Sequence, residues 1–156
     1  PADIGRVDAF SFSVFAGDAV GLYDVVIFDF PAGMDFSLYT SLPKDTLFLT
    51  VAVPDPVSVR DAAAVSQRLY EISCQSRLVI NNFTYSFVKK SLHRNVDDII
   101  DSAGLQLVGV IPHSDELAFL SVNHRLKRKG KSNSAFLRLA GRLSGEQILL
   151  PKLKKI

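Results

Sequence analysis

The chain has 156 residues, 47% of them hydrophobic and 22% charged, with no low-complexity tract, and this predicts one folded domain large enough to bury a core. No apolar run reaches ~18 residues, which excludes a helical membrane span. The formal charge of +2 is unevenly spread: from Arg125 onward ten Lys/Arg face Glu146 alone, a net +9 that leaves −7 on residues 1–124.

Residues 7–15 (Val-Asp-Ala-Phe-Ser-Phe-Ser-Val-Phe) fit both periodicities. Phe10, Phe12 and Val14 alternate as in a strand, while Val7, Phe10 and Val14 have helical spacing. A helix is expected, because parallel strands need crossovers. Residues 25–28 (Val-Val-Ile-Phe) form a short apolar run ending on Asp29, and Pro31-Ala32-Gly33 follows. The run reads as a strand buried on both faces, and Pro-Ala-Gly as the loop that stops it. An acid at the carboxyl end of such a strand can hold magnesium or its water beside a nucleotide phosphate. Gly33 would let the backbone approach that phosphate. Equally, Asp29 could simply cap the next helix.

Residues 34–42 read as a short helix and Pro43-Lys44-Asp45 as a turn. Residues 46–53 (Thr-Leu-Phe-Leu-Thr-Val-Ala-Val) predict a second buried strand. Pro54-Asp55-Pro56 stops it, and Ser58 is expected to cap a helix to about Ser73, with Asp61 completing the cap. The apolar stripe of that helix would be Val59, Ala62, Ala63, Val65, Leu69 and Ile72. Residues 77–81 predict a third strand, and 88–102 a helix or helix-turn-helix stopped by Gly104. Residues 105–111 predict a fourth strand, and 115–122 a short helix. Lys127-Arg128-Lys129-Gly130-Lys131 reads as an exposed basic loop. Ser134 is expected to cap a last helix through Leu143, with Phe136, Leu137, Leu139 and Ala140 available to the core. Residues 147–156 form a basic and apolar tail interrupted by Pro151. Strands alternating with helices give an α/β fold with a mainly parallel sheet.

Asn81 falls at the end of a predicted strand, where its amide could donate to and accept from adenine's N6/N7 edge, or make a local turn as Asn82 could. Pro112 either packs on a base or merely ends its strand, with His113 and Ser114 beside it. Arg60 and Asp61 open the second helix, either as an interface or as a solvated pair. His93, His113 and His124 are not spaced as metal ligands, and Cys74 stands alone, which excludes a structural metal or internal disulfide and suits a reducing, cytoplasmic compartment. Pro1-Ala2-Asp3-Ile4-Gly5-Arg6 does not resemble a signal peptide.

Tyr23-Asp24-Val25-Val26-Ile27-Phe28-Asp29-Phe30-Pro31-Ala32-Gly33-Met34-Asp35 resembles the Walker B and switch region of the MinD/ParA family of deviant Walker A P-loop ATPases. Ordered matches follow. Val53-Pro54-Asp55-Pro56-Val57-Ser58-Val59-Arg60-Asp61-Ala62 resembles the segment after the next strand. Leu78-Val79-Ile80-Asn81-Asn82 resembles the strand ending on an adenine-reading Asn. Leu107-Val108-Gly109-Val110-Ile111-Pro112-His113-Ser114 resembles the strand and turn closing the base pocket. Arg142-Leu143-Ser144-Gly145-Glu146 resembles the end of the last helix. Ser58-Val59-Arg60-Asp61 and Asn95-Val96-Asp97-Asp98 bring the likeness nearest to the MinD branch. The family's glycine-rich loop with its Lys residues is absent from these residues, so the chain resembles the carboxyl-terminal part of such an ATPase.

The resemblance implies a three-layer αβα, P-loop NTPase-like fold, N-terminally incomplete. It implies ATP and magnesium as cofactors. Asp29 would organise the magnesium through water, Gly33 would sense the γ-phosphate, and Asn81, Pro112, His113 and Ser114 would hold adenine. Arg60 and Asp61 would face the partner of a homodimer formed with ATP if the phosphate loop is supplied. Division or partition regulators are the implied partners. Lacking that loop, the chain alone is expected to be inactive. An anionic membrane surface is a further candidate partner for the basic tail, and nucleic acid a less favoured one. The expected location is cytoplasmic, with peripheral attachment to the inner face of the cell membrane as an extension. The alternative is a nonhydrolytic regulatory or scaffold module that kept the fold and lost the loop.

Overall fold

The computed structural model describes residues 8–31, 36–86, 95–118 and 130–153. The chain divides into two units, residues 1–46 and 47–156.

In the first unit, α1 (Ala9–Leu22) starts where the Asp8 carboxylate accepts the Ser11 N–H at 2.9 Å. Four helix orphans need such acceptors, and a carboxylate at the N-terminus also suits the helix dipole. The helix expected at 7–15 is therefore present and runs seven residues beyond Phe15, to Leu22. The strand expected at 25–28 is not present: residues 25–31 form no ladder among the described residues. Their side chains still alternate. Val26, Phe28 and Phe30 are half-buried, whereas Val25 and Ile27 are 77% and 87% exposed. The inward row joins an aromatic cluster, with Phe12 edge-on to Phe28 at 5.5 Å and to Phe30 at 5.8 Å, and Phe30 edge-on to Tyr39 at 5.2 Å. Aromatic burial on one side holds the segment extended, but an extended segment is a strand only beside a partner. The helix expected at 34–42 appears as α2 (Phe36–Thr40), and the Pro43 turn closes through Thr46 N–H to Pro43 O at 3.0 Å.

The second unit is a sheet of three parallel strands: β1 (Leu47–Ala52), β2 (Gln75–Phe83) and β3 (Leu107–Pro112), in that order. Helix α3 (Pro56–Glu71) crosses from β1 to β2, and α4 (Val96–Ala103) precedes β3. Then follow α5 (Asp115–Ala118) and α6 (Lys131–Leu143). Alternation along β2 splits the core in two. Leu78, Ile80 and Phe83 pack with Val59 and Ala62 of α3 and Val96, Ile99 and Ala103 of α4. Val79 faces the other way and packs with Val108, Ile111, Ala135 and, more openly, Leu139 of α6. Helices thus lie on both faces of a parallel sheet, the αβα layering expected.

Three local expectations need correction. β1 is not buried on both faces: Leu47, Leu49 and Val51 are exposed. The cap of α3 is Asp55, not Ser58. Ser58 Oγ instead accepts the Val53 N–H at 3.0 Å, tying the end of β1 to the helix start. Helix α6 begins at Lys131 with Gly130 as cap, and Ser134 Oγ donates back to Gly130 O at 2.9 Å from inside the first turn. Lys131 is thus helical, while 127–129 lie outside the described residues, and Phe136 and Leu137 are exposed rather than core. The stop at Gly104 is as expected: it adopts a left-handed φ of 64°, and its N–H returns to Ile100 O, a conformation that glycine enters without Cβ cost. At Gly109, a Cβ would meet Leu139 Cδ1 at 2.9 Å, so glycine lets α6 lie close on β3.

The tail folds back on the second unit. Arg142 Nε donates to Ile148 O at 2.8 Å and Nη1 to Val108 O at 2.7 Å. Val108 is the residue skipped in the β2–β3 register, so its carbonyl is free for that bond. Leu153 packs against the α3/α4 core. Burial, with Arg138 nearby, lowers the Arg142 pKa.

Candidate functional site

In an open α/β sheet the crevice outside the strands' carboxyl ends is where ligands bind. In the second unit that rim is made by three turns. After β1, Asp55 O accepts the Val59 N–H at 3.0 Å and starts α3, whose next turn carries Arg60 and Asp61. Those two are strongly exposed, with one contact at 3.5 Å. A surface pair of that kind contributes at most ~1 kcal/mol, which leaves both side chains free to meet a partner.

After β2, Asn81 is exposed, and Asn82 takes a left-handed φ of 55°. Asn accepts that region more readily than other residues bearing a Cβ. The conformation turns the Asn82 amide towards β3, where Oδ1 lies 2.7 Å from His113 Nδ1. The backbones are joined too, with His113 N–H donating to Phe83 O at 2.8 Å, and Phe83 pairs with Pro112 in the ladder. His113 Nε2 is 3.7 Å from Asp115 Oδ1. Ser114 O accepts the Leu117 N–H at 3.0 Å and so opens α5.

The structure therefore brings Asn81, Pro112, His113 and Ser114 to one end of the sheet. Pro112 is buried as the last residue of β3. Among the described residues no group hydrogen-bonds the Asn81 amide, so it is available to a ligand with a donor and an acceptor side by side. The Asn82–His113 bond, which fixes the two loops to each other, is a feature that sequence reasoning missed. An Asn pair at a predicted strand end, with a His directly after the Pro of the next strand, was the available signal.

Asp29 belongs to the first unit, where it is exposed in the extended segment after α1. Gly33 lies outside the described residues. Among the described residues there is no group of His, Cys, Asp and Glu that could hold a metal by itself, and no helix long and apolar enough to cross a membrane.

No protein-family model matches the chain. Curated relatives do. The septum site-determining protein MinD of Bacillus subtilis (strain 168) is 26% identical over 139 residues, 85% of this chain and 52% of the relative. That of Thermotoga maritima is 27% identical over 134 residues, 82% of this chain and 49% of the relative. The chain thus spans about half the length of the curated relatives it matches. Among solved structures, the MinD cell division protein of Aquifex aeolicus superposes with a TM-score of 0.81 at 26% identity, covering 94% of this chain and 64% of that one. The MinC:MinD cell division protein complex of the same organism gives 0.79 at 27%, covering 94% and 63%. The Pyrococcus horikoshii septum site-determining protein MinD complexed with Mg-ADP gives 0.72 at 18%, covering 87% and 56%, a likeness of fold. The homologues at 26–30% identity are MinD septum site-determining proteins and the structural neighbours are MinD and ParA-family ATPases, which is consistent with a MinD/ParA-like protein.

Proposed function

We propose that this chain is the base-reading and partner-facing portion of an ATPase whose ATP-dependent dimerisation governs division-site placement or the partitioning of cargo. The observation that carries the reading is the unpaired Asn81 amide at the open end of β2, beside loops pinned together by Asn82 and His113. Asn81 would donate to N7 and accept from N6 of adenine. His113 and Ser114 would border the base through their backbone, with Pro112 fixing where that turn begins. Bound ATP supplies the phosphoanhydride that is hydrolysed. Asp29, an exposed carboxylate, suits a magnesium held through water, a hard cation that keeps several of its waters, and Gly33 would sense the γ-phosphate through its backbone. Arg60 and Asp61 would face the second copy of the dimer.

The solved MinC:MinD complex supports division regulators as partners, and the Mg-ADP complex of the Pyrococcus protein supports magnesium nucleotide as ligand. A cytoplasmic location, with peripheral attachment to the inner face of the cell membrane as an extension, is proposed here. The 156 residues contain no glycine-rich loop followed by Lys and Ser/Thr, the feature whose backbone N–H groups and Lys cradle phosphates. A second reading is a nonhydrolytic regulatory or scaffold module of the same fold. The test is Asn81→Ala in a longer form that carries a phosphate loop. ATP affinity should fall by ~1–3 kcal/mol, the scale of one bidentate base contact, with GTP little changed. Equal loss for both nucleotides would refute the base-reading role.

A further inference from the structure

Strand β2 carries one residue more than β3 at the end where the site is built. Ile80 pairs with Val110 and Phe83 with Pro112, so three steps along β2 match two along β3. Side chains alternate along a regular strand, which would send Phe83 to the side of Val79. It lies instead with Leu78 and Ile80 in the α3/α4 core. The extra residue is absorbed at Asn81 and Asn82, both exposed between buried Ile80 and buried Phe83, and Asn82 takes the left-handed φ of 55°. This is a β-bulge, a device that bends a strand and re-aims a side chain. One residue closes the ladder beyond it. The His113 N–H donates to Phe83 O at 2.8 Å, and the His113 ring Nδ1 lies 2.7 Å from Asn82 Oδ1. With Oδ1 as acceptor, Nδ1 carries the proton. Asp115 Oδ1, 3.7 Å from Nε2, is beyond hydrogen-bond reach, so Asn82 is the ring's close partner.

We propose that Asn82 and His113 are positioning residues for Asn81: their side-chain bond holds the bulge, and the bulge sets where the Asn81 amide stands. This rests on the reading of Asn81 as the base contact. A residue with a Cβ in the left-handed region costs energy and persists where its surroundings over-determine it. At Asn82 the bond to His113 supplies that restraint across the gap between β2 and β3. Without it the bulge keeps the Phe83 backbone bond, but Asn81 samples more orientations, and base binding then carries the cost of ordering it. Neither the Asn82 amide nor the His113 ring has to touch the base, so their effect passes through Asn81. They would act on the base and leave the phosphates alone.

The first arm of the test needs no nucleotide. In the 156-residue chain, nitrogen NMR of the neutral His113 ring should find its proton on Nδ1, the tautomer fixed by Asn82. Asn82→Gly keeps the left-handed backbone, removes the amide, and should move that proton towards Nε2. The second arm uses the longer form with a phosphate loop and compares Mg-ATP with Mg-tripolyphosphate, a probe without a base, by calorimetry. Asn82→Gly and His113→Phe should each weaken ATP binding by about 2- to 10-fold, the scale of one net hydrogen bond, and leave tripolyphosphate unchanged. Asn82→Asp keeps an acceptor for Nδ1 and should restore the ratio of the two affinities. In an Asn81→Ala background, Asn82→Gly should cost nothing further, because residues acting through one contact are not additive. Equal weakening of ATP and tripolyphosphate, a loss that persists in Asn81→Ala, or an Nε2–H ring in the parent chain would each overturn the inference. If Asn81→Ala weakens ATP binding and Asn82→Gly does not, the inference falls alone. If Asn81→Ala itself has no effect, the base-reading role falls and takes the inference with it.

Discussion

Asp55→Ala tests how the rim of the sheet is built. Its Oδ1 accepts the N–H groups of Val57 and Ser58, both at 3.0 Å. Pro56 has no N–H to satisfy, and the Asp55 N–H goes to Val53 O at 2.8 Å. Every donor of the first turn of α3 thus has a partner, and two of them depend on one carboxylate. Val57 is exposed and can turn to water, but Ser58 is half-buried and replaces its acceptor less easily. The loss should fall in the upper part of the ~0.5–2 kcal/mol range for N-cap removal. Asp55→Asn keeps an acceptor and loses only the charge at the helix dipole, so it should cost about 0.3–1 kcal/mol. Ser58→Ala removes the acceptor of one part-buried N–H, that of Val53, and should cost ~0.5–1.5 kcal/mol. Urea unfolding followed by circular dichroism measures all three, with an unchanged slope marking a pure stability effect. Thermal midpoints should drop by about 2–4 °C per kcal/mol for a chain of this size. Asp55→Ala indistinguishable from the parent, with Ser58→Ala strongly destabilising, would return the cap to Ser58 and refute this account.

The Asp8 carboxylate is held below its ordinary value of 3.8, chiefly by the Ser11 backbone N–H. Its contribution to α1 is therefore present above that value and is lost as pH falls through the lowered one. An NMR titration should place its midpoint below 3.8, with the Ser11 amide shifting in step, and a midpoint above 3.8 would contradict the cap. For the basic tail, weak and salt-sensitive binding to anionic vesicles is expected, at roughly 1 kcal/mol per Lys or Arg that reaches the surface. Replacing Lys152, Lys154 and Lys155 by Gln, which leaves Leu153 in its core contact, should reduce it. Binding indifferent to salt would rule out the electrostatic account.

The second unit was largely legible because its signals are local. Residues 77–81 carry a run apolar enough to be buried on both faces, and β2 lies there with helices on either side. Gly104 stops α4 because the left-handed turn needs a residue of its kind. Two cap errors came from weighing Ser over its neighbours. Pro56 at the first helical position was the better pointer, since Pro fits there at no hydrogen-bond cost and implies Asp55 as cap. Ser134 satisfies itself by bonding back one turn, which sequence alone does not distinguish from capping. The 25–28 segment misled for a different reason. Its composition suits a strand, but pairing depends on a partner strand, and among the described residues none pairs with it. Asn81 could be placed at a strand end from sequence. Its neighbour's bond to His113, 31 residues on, depends on a left-handed φ and on the β2–β3 register, which no local pattern encodes.

Calorimetry with Mg-ATP, on the 156-residue chain and on a longer form that supplies a phosphate loop, tests the functional account most directly. The chain alone should show no saturable binding and no hydrolysis, because Asp29 without a loop Lys repels phosphate. The longer form should bind, and Asn81→Ala in it should bind more weakly. Micromolar, magnesium-dependent binding by the 156-residue chain as a monomer would contradict the account, by showing that a phosphate site lies within these residues.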